Sequence, residues 1–252
     1  MMGKLKRLIS TIIILLAHCP FKTVYINFKT LPFKQALRLP IFVYSKTEFR
    51  SIKGRIVING HISPNMIHIG DNTRYPTTSR PLSVWTINGQ IVFNGPINFL
   101  QGTYVYVAEN ATLQFGTNGT FVGSDTKIIC RDRIDIGNCV EITWECQIYD
   151  TSFHYIIKGG GMCPVQPLTK RIVINDYVWI GNRTTISRGT VVPSHSVIAS
   201  GSLCNKDYSE YGQRCLYAGT PAKCKAAGID RIFSSQEESV YDLQFGYKRF
   251  RL

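Results

Sequence analysis

The chain has 252 residues, a formal charge of +13 and a pI near 9.5. That length can bury a sizeable core, and the basic balance favours polyanionic partners such as anionic membrane or phosphorylated small molecules. Nucleic acid is set aside: the chain carries no helix-turn-helix, zinc finger or aromatic RNA-binding signature, and its basic residues are scattered rather than striped.

The N-terminus reads MMGKLKRLISTIIILLAHC, a basic start followed by an apolar run and Cys19. His18 spoils the small-residue requirement of an export cleavage site, and the run is too short to span a bilayer. It reads instead as a helix in the membrane interface, with Lys4, Lys6 and Arg7 toward anionic headgroups, or as a plain packing helix; His18 belongs to it on either reading. Residues 20–50 mix aromatics with lysines and hold Pro20, Pro32 and Pro40, which break any long helix. They form a basic, apolar cap that closes the bottom of the fold or leans on a membrane. The domain boundaries drawn are a cap at 1–50, a repeat body at 51–208 and a terminal segment at 209–252.

Early in the body, Phe93, Phe99 and Val105 stand six apart, and Phe115 with Phe121 repeats the step in a shifted register. Asn59-Gly60 and Asn88-Gly89 add turn signals, so irregular coils are expected here. From Cys130 the rhythm is regular: Cys130, Ile136, Ile142 and Ile148, then Ile174, Ile180, Ile186, Val192, Ile198 and Cys204. A period of six fits neither the helical 3.6 nor the strand alternation of 2. Two positions before the inward residue come Val178, Thr184, Thr190, Ser196 and Ser202, all small or β-branched. A short strand followed by a corner, repeated, gives this pattern, and three such hexapeptides close one triangular coil of roughly eighteen residues. The expected fold is therefore all-β, a parallel β-helix solenoid with an N-terminal helical or irregular cap and a short C-terminal helical tail. An antiparallel sandwich would show strict alternation instead.

Eight cysteines show no CxxC pair and no disulfide framework spacing. Cys130 and Cys204 fall on inward positions and Cys146 within a strand, where they act as small apolar fillers. Reduced thiols and a cytoplasmic location follow as expectations.

The rhythm stops between Ile148 and Ile174. The segment 149–171, containing Gly159-Gly160-Gly161, Pro164 and Pro167, reads as a loop projecting from the prism. It holds Asp150, His154, Lys158 and Lys170. Of the five histidines, only His154 lies where coil meets projecting loop; His195 sits at a corner that reads as a solvated turn. These residues suit acyl transfer to a hydroxyl or amine. A neutral imidazole can take the proton of the attacking group. A carboxylate, Asp150 or Glu145, could hold the ring in the required tautomer. Cys146 and Cys163 flank the histidine, but no Cys-His motif makes either a nucleophile.

The block VWIGNRTTISRGTVVPSHSVIASGSLCNKDYSEYGQRCLYAGTPAKC resembles the C-terminal half of hexapeptide-repeat acyltransferases. IYDTSFHYI is similar to the DTDFH loop of members that acetylate sugars of bacterial capsules, exopolysaccharides or O-antigens. The resemblance implies a left-handed β-helix, a homotrimer, acetyl-CoA as acyl donor and a sugar as acceptor; the basic, apolar N-terminus favours a lipid-linked saccharide, and no metal is expected. It implies that His154 is the catalytic base and that Asn182, Ser200, Lys206 and Lys223 contact the coenzyme in a groove between protomers. Trp179 packs beside the loop or meets ligand. Asn205 stands where Thr is commoner, and DTS replaces DTD beside His154. A membrane-facing N-terminus would put the protein peripherally at the inner face of an anionic membrane. The rival readings are transfer to a small free metabolite, a non-catalytic scaffold, and a metal hydratase, which needs three converging histidines that the sequence does not offer.

Overall fold

Three parallel sheets make the body, and each inward residue of the six-step rhythm sits on a ladder with its counterpart one coil away. The computed structural model describes residues 18–73, 81–157 and 166–246. One sheet has nine strands, one seven and one six, and up to Leu203–Cys204 successive strands of the chain pass from sheet to sheet in turn. On the nine-stranded sheet Ile142 pairs with Ile180 and Ile180 with Ile198; on the seven-stranded sheet Ile148 pairs with Ile186 and Ile186 with Cys204. On the third sheet Ile136 pairs with Ile174 and Ile174 with Val192. All of these side chains are buried and form one continuous core. A solenoid of this kind is stabilised by nearest-neighbour stacking, so every rung shares its apolar surface with the next.

The corners explain the spacing between rungs. Asp125, Cys139, Glu145, Tyr177, Arg183, His195 and Arg214 all have positive φ, and each stands three residues before an inward side chain. The left-handed conformation costs an L-residue roughly 1–2 kcal/mol. Here it turns the chain sharply enough to begin the next strand. Glycine fills the same place at Gly189 and Gly201.

Several expectations are corrected. Phe121 lies half-buried on the outer face while Val122 points inward, because the corner after Phe115 is one residue longer than the regular step. The first rungs form before residue 51, since Ile41–Val43 pairs with Ile67–Asp71 and Thr47–Ile52 with Ser83–Ile87. His18 is bridged to Tyr44 and stacked 3.9 Å from Phe42 instead of lying in a helix. Cys146 is buried at a corner, not within a strand, its Sγ 3.4 Å from the Gly181 carbonyl. His195 is no solvated turn: it stacks on Tyr177 at 4.7 Å and meets the Asp230 carboxylate at 2.9 Å. The early coils hold their register apart from bulges at Phe49/Ser51 and Ile69/Asp71, and are filled by Trp85, Phe93, Phe99 and Phe115 in mutual ring contact.

Both ends of the prism are closed. Helix α1 (Pro20–Thr30) and the short α2 (Phe33–Ala36) cover the first rung. At the other end, Cys215–Gly219 joins the nine-stranded sheet, and Ala222–Ala227 pairs back on it antiparallel. The Tyr208 and Tyr217 rings, 4.7 Å apart and fully buried, plug the interior below this hairpin. Helix α3 (Ser235–Phe245) forms an exposed tail, capped by Ser234 accepting from the Glu237 amide. Among the described residues the cysteines are unbridged, and no helix is long and apolar enough to cross a membrane. The N-terminal interfacial helix with Lys4, Lys6 and Arg7 lies outside the described residues, as do Lys158, the Gly159–Gly161 run, Cys163 and Pro164.

Candidate active site

The projecting loop leaves the prism after the strand Gln147–Tyr149 and returns at Ile172–Ile174. Its two stems are zipped together. Thr151 and Thr169 form an antiparallel bridge, the Ser152 amide donates to the Leu168 carbonyl at 2.9 Å, and the Lys170 amide to Asp150 at 2.9 Å. The next coil braces the returning stem, because Arg188 donates to the Pro167 carbonyl and the Gln166 side chain at 3.1 and 2.5 Å. Ser152, Ile156, Gln166 and Arg188 line a cavity of 240 Å³ beneath the loop.

His154 sits on a tight turn at the end of the outgoing stem. Its amide donates to the Ser152 carbonyl at 2.7 Å, and the Ser152 hydroxyl donates to the His154 carbonyl at 3.0 Å. Phe153 before it has φ of 60° and an amide held by the Thr151 hydroxyl at 3.0 Å. The backbone is thus fixed on both sides, and the imidazole is exposed. It has no hydrogen-bond partner among the described residues. Around it Phe153, Tyr155, Ile156 and Ile157 are also exposed, an apolar rim beside the ring.

Asp150 does not do what its place in the sequence promises. Its carboxylate is fully buried and accepts the amides of Arg131, Asp132 and Arg133, each at 2.8 Å. Burial pushes its pKa up, and the three amides pull against that shift. The carboxylate therefore fastens the loop root to the preceding coil, and no hydrogen bond joins it to the ring among the described residues. Glu145, the other acid considered, is at a different corner and pairs with Arg183 at 2.5 Å. Neither acid meets His154. The signal available in advance was the position of Asp150 two residues after inward Ile148, where a corner of the wall turns.

The other candidate residues fall on two edges of the prism. The ladders Ile142–Ile180–Ile198 place Trp144, Asn182 and Ser200 in one column, at the edge between the nine- and seven-stranded sheets. Asn182 is half-buried and accepts the Gly201 amide at 2.9 Å, while Ser200 is exposed. Gly181 lies so close beneath Ser200 that an added Cβ would stand 2.6 Å from its backbone nitrogen. At the end of this edge Lys223, exposed, pairs across the hairpin with Ala218. Below Asn182, Gly102, Asp125, Lys127, Glu145, Gln147 and Arg183 line an open groove of 490 Å³. Trp179 is half-buried on the outer face of the nine-stranded sheet, between Glu141 and Val197. Asn205 is exposed.

Lys206 belongs to the adjacent edge. The pairing of Ile148, Ile186 and Cys204 stacks Asp150, Arg188 and Lys206 in one column, beneath which the loop departs. Its ammonium bonds to Glu210 at 2.9 Å and Tyr211 at 3.1 Å, and the Glu210 carboxylate raises its pKa above the ordinary lysine value. Within one chain, then, His154 and Lys206 stand on one edge and Asn182, Ser200 and Lys223 on the next. The width of the seven-stranded sheet separates the two groups. No group of His, Cys, Asp or Glu suited to a metal ion occurs among the described residues.

No family model matches the chain. Among solved structures, the polySia-specific acetyltransferase NeuO is similar at 18% identity and a TM-score of 0.50, over 82% of this chain and 99% of that one. The polysialic acid O-acetyltransferase OatWY matches at 21% identity and a TM-score of 0.48, over 80% and 99%. A hexapeptide-repeat-containing acetyltransferase from Vibrio cholerae matches at 29% identity and a TM-score of 0.40, over 47% and 64%. The likeness to the first of these shows the fold. The chain is an all-β, left-handed parallel β-helix.

Proposed function

We propose that this protein is an acyl-CoA-dependent O-acetyltransferase that moves an acetyl group onto a sugar hydroxyl of a bacterial surface polysaccharide. The observation that carries the reading is an imidazole held outward on a fixed turn of a zipped loop, on a hexapeptide β-helix. The name of the similar NeuO structure, a polySia-specific acetyltransferase, agrees with it.

In this reading His154 accepts the proton of the attacking hydroxyl through its exposed ring. It then gives that proton to the departing thiolate, so the imidazole ends as it began. Base catalysis of this kind contributes on the order of 10²–10⁴ in rate. Acetyl-CoA supplies the activated carbonyl when bound. The donor set fits that substrate: Asn182 and Ser200 offer polar atoms along an open edge, and the exposed Lys223 offers charge for phosphates. Lys206 would exchange its Glu210 partner for a phosphate oxygen. Asp150 acts on the ring only by fixing the stem that carries it.

Because the two groups of residues stand on neighbouring edges of one prism, the reading includes a homotrimer. Each site would take the His154 loop of one protomer and the Asn182–Ser200 column of the next. The acceptor is a saccharide, free or lipid-linked. The test is thioester cleavage by purified protein with acetyl-CoA and a panel of capsular oligosaccharides, followed by mass analysis of the glycan. Acceptor-dependent thiol release with an added acetyl group supports the reading. Coenzyme binding without transfer to any saccharide would favour the small-metabolite alternative.

A further inference from the structure

Helix α1 is inside out. Its buried face carries Thr23, Asn27 and Thr30 with only Ile26 among them. These polar groups serve the open edge of the first rung. The Asn27 amide donates to the Ile41 carbonyl at 2.7 Å, its oxygen accepts the Ile41 amide at 3.1 Å, and the Thr23 hydroxyl accepts the Val43 amide at 3.0 Å. The helix thus replaces a missing strand, satisfying backbone groups that an uncapped solenoid end would leave bare.

The consequence is on the other side. Phe21 is 87% exposed and Phe33 68%, with Val24, Tyr25, Phe28 and Leu37 exposed around them. The patch is continuous from α1 to α2, for the Phe28 and Phe33 rings meet edge to face at 5.8 Å. Lys29, Lys34 and Arg38 are exposed beside it. Residues 1–47 hold no acid, and among the described residues no ion pair engages Lys29, Lys34 or Arg38. A second copy seated on the same face would set like charges against each other. An aromatic face rimmed by lysines is what the boundary between headgroups and acyl chains accommodates: rings at the interface, ammonium groups among anionic phosphates.

We propose that the outward face of α1 and α2, built on Phe21, Tyr25, Phe28 and Phe33 with Lys29 and Lys34, is a docking surface for an anionic lipid bilayer. The protein is then held peripherally with the base of its prism on the membrane. This placement is independent of the reaction catalysed.

The experiment is sedimentation of the full chain with vesicles of phosphatidylcholine alone or mixed with phosphatidylglycerol. The wild type is expected to partition onto the anionic vesicles and to be released by salt. F21S/F33S and K29E/K34E each weaken that partition by roughly tenfold or more, with unchanged circular dichroism, because these side chains are exposed. Failure of the wild type to bind phosphatidylglycerol vesicles overturns the proposal. So does equal binding by wild type and both variants, and so does an F21S/F33S variant that changes only the oligomeric mass. Should a variant misfold, Tyr25→Trp read with brominated lipids decides: quenching by anionic vesicles supports the surface, and unquenched emission overturns it.

Discussion

Asp150 and His154 share one strand of the loop stem yet face opposite ways, the carboxylate into the wall on three backbone amides and the imidazole out to solvent. The two residues therefore separate under mutation. Asp150→Ala takes the charged acceptor away from three backbone N–H donors at a part-buried corner, hydrogen bonds worth about 1.5–3 kcal/mol each. Thermal unfolding should show a clear fall in Tm for this variant. Asp150→Asn should recover only part of the loss, since one oxygen cannot replace two.

His154→Ala should behave in the reverse way. The ring is exposed and makes no hydrogen bond among the described residues, so Tm stays within experimental error of wild type. Transfer should fall by about 10²–10⁴, while coenzyme binding, measured by calorimetry, persists. Loss of binding along with activity would assign the ring a structural part.

Gly181→Ala tests the closeness of the Asn182–Ser200 edge. The new methyl would lie 2.6 Å from the Ser200 nitrogen and 2.9 Å from the Ile198 oxygen, both backbone atoms. Adjacent coils must part, at a cost of about 1–3 kcal/mol. Adding Ser200→Gly should not rescue it, because the side chain is not the main obstacle. Denaturant melts of the single and double variants check this.

Stability should also depend on pH through His18. Burial against Phe42 lowers its pKa below the ordinary histidine value. The unfolded chain then binds this proton more readily than the folded one, so stability is fully present above the ordinary value and is lost as the pH falls from there through the lower folded-state pKa. His18→Phe should flatten the melting profile below about pH 6.5. An unchanged slope would place the titration elsewhere.

Much of the architecture was legible because a stacked coil writes its period directly into the chain. Each inward residue from Cys130 to Cys204 is buried where the six-step count put it. The corners were harder to read. Their left-handed residues include Glu145, Tyr177 and Arg183, so no run of glycines marks them, and one longer corner sufficed to turn Phe121 outward. His154 could be picked out because a break in a strict rhythm is itself a signal. The partner of Asp150 could not, since its three amides come from the preceding coil and proximity along the chain pointed to the ring instead. The inverted helix was hidden for a related reason: Asn27 and Thr23 look like surface residues until the strand edge they satisfy is in view.

The loop hangs between rungs whose pairing goes on without it: Tyr149 meets Ser187 and Ile172 meets Ile134 as if the intervening chain were an ordinary corner. The part that carries the imidazole is thus a cassette, hung on the stack like a tool on a rail. A chain with a short turn spliced in place of 152–168, Asp150 retained, should still stack its coils while losing the proposed transfer.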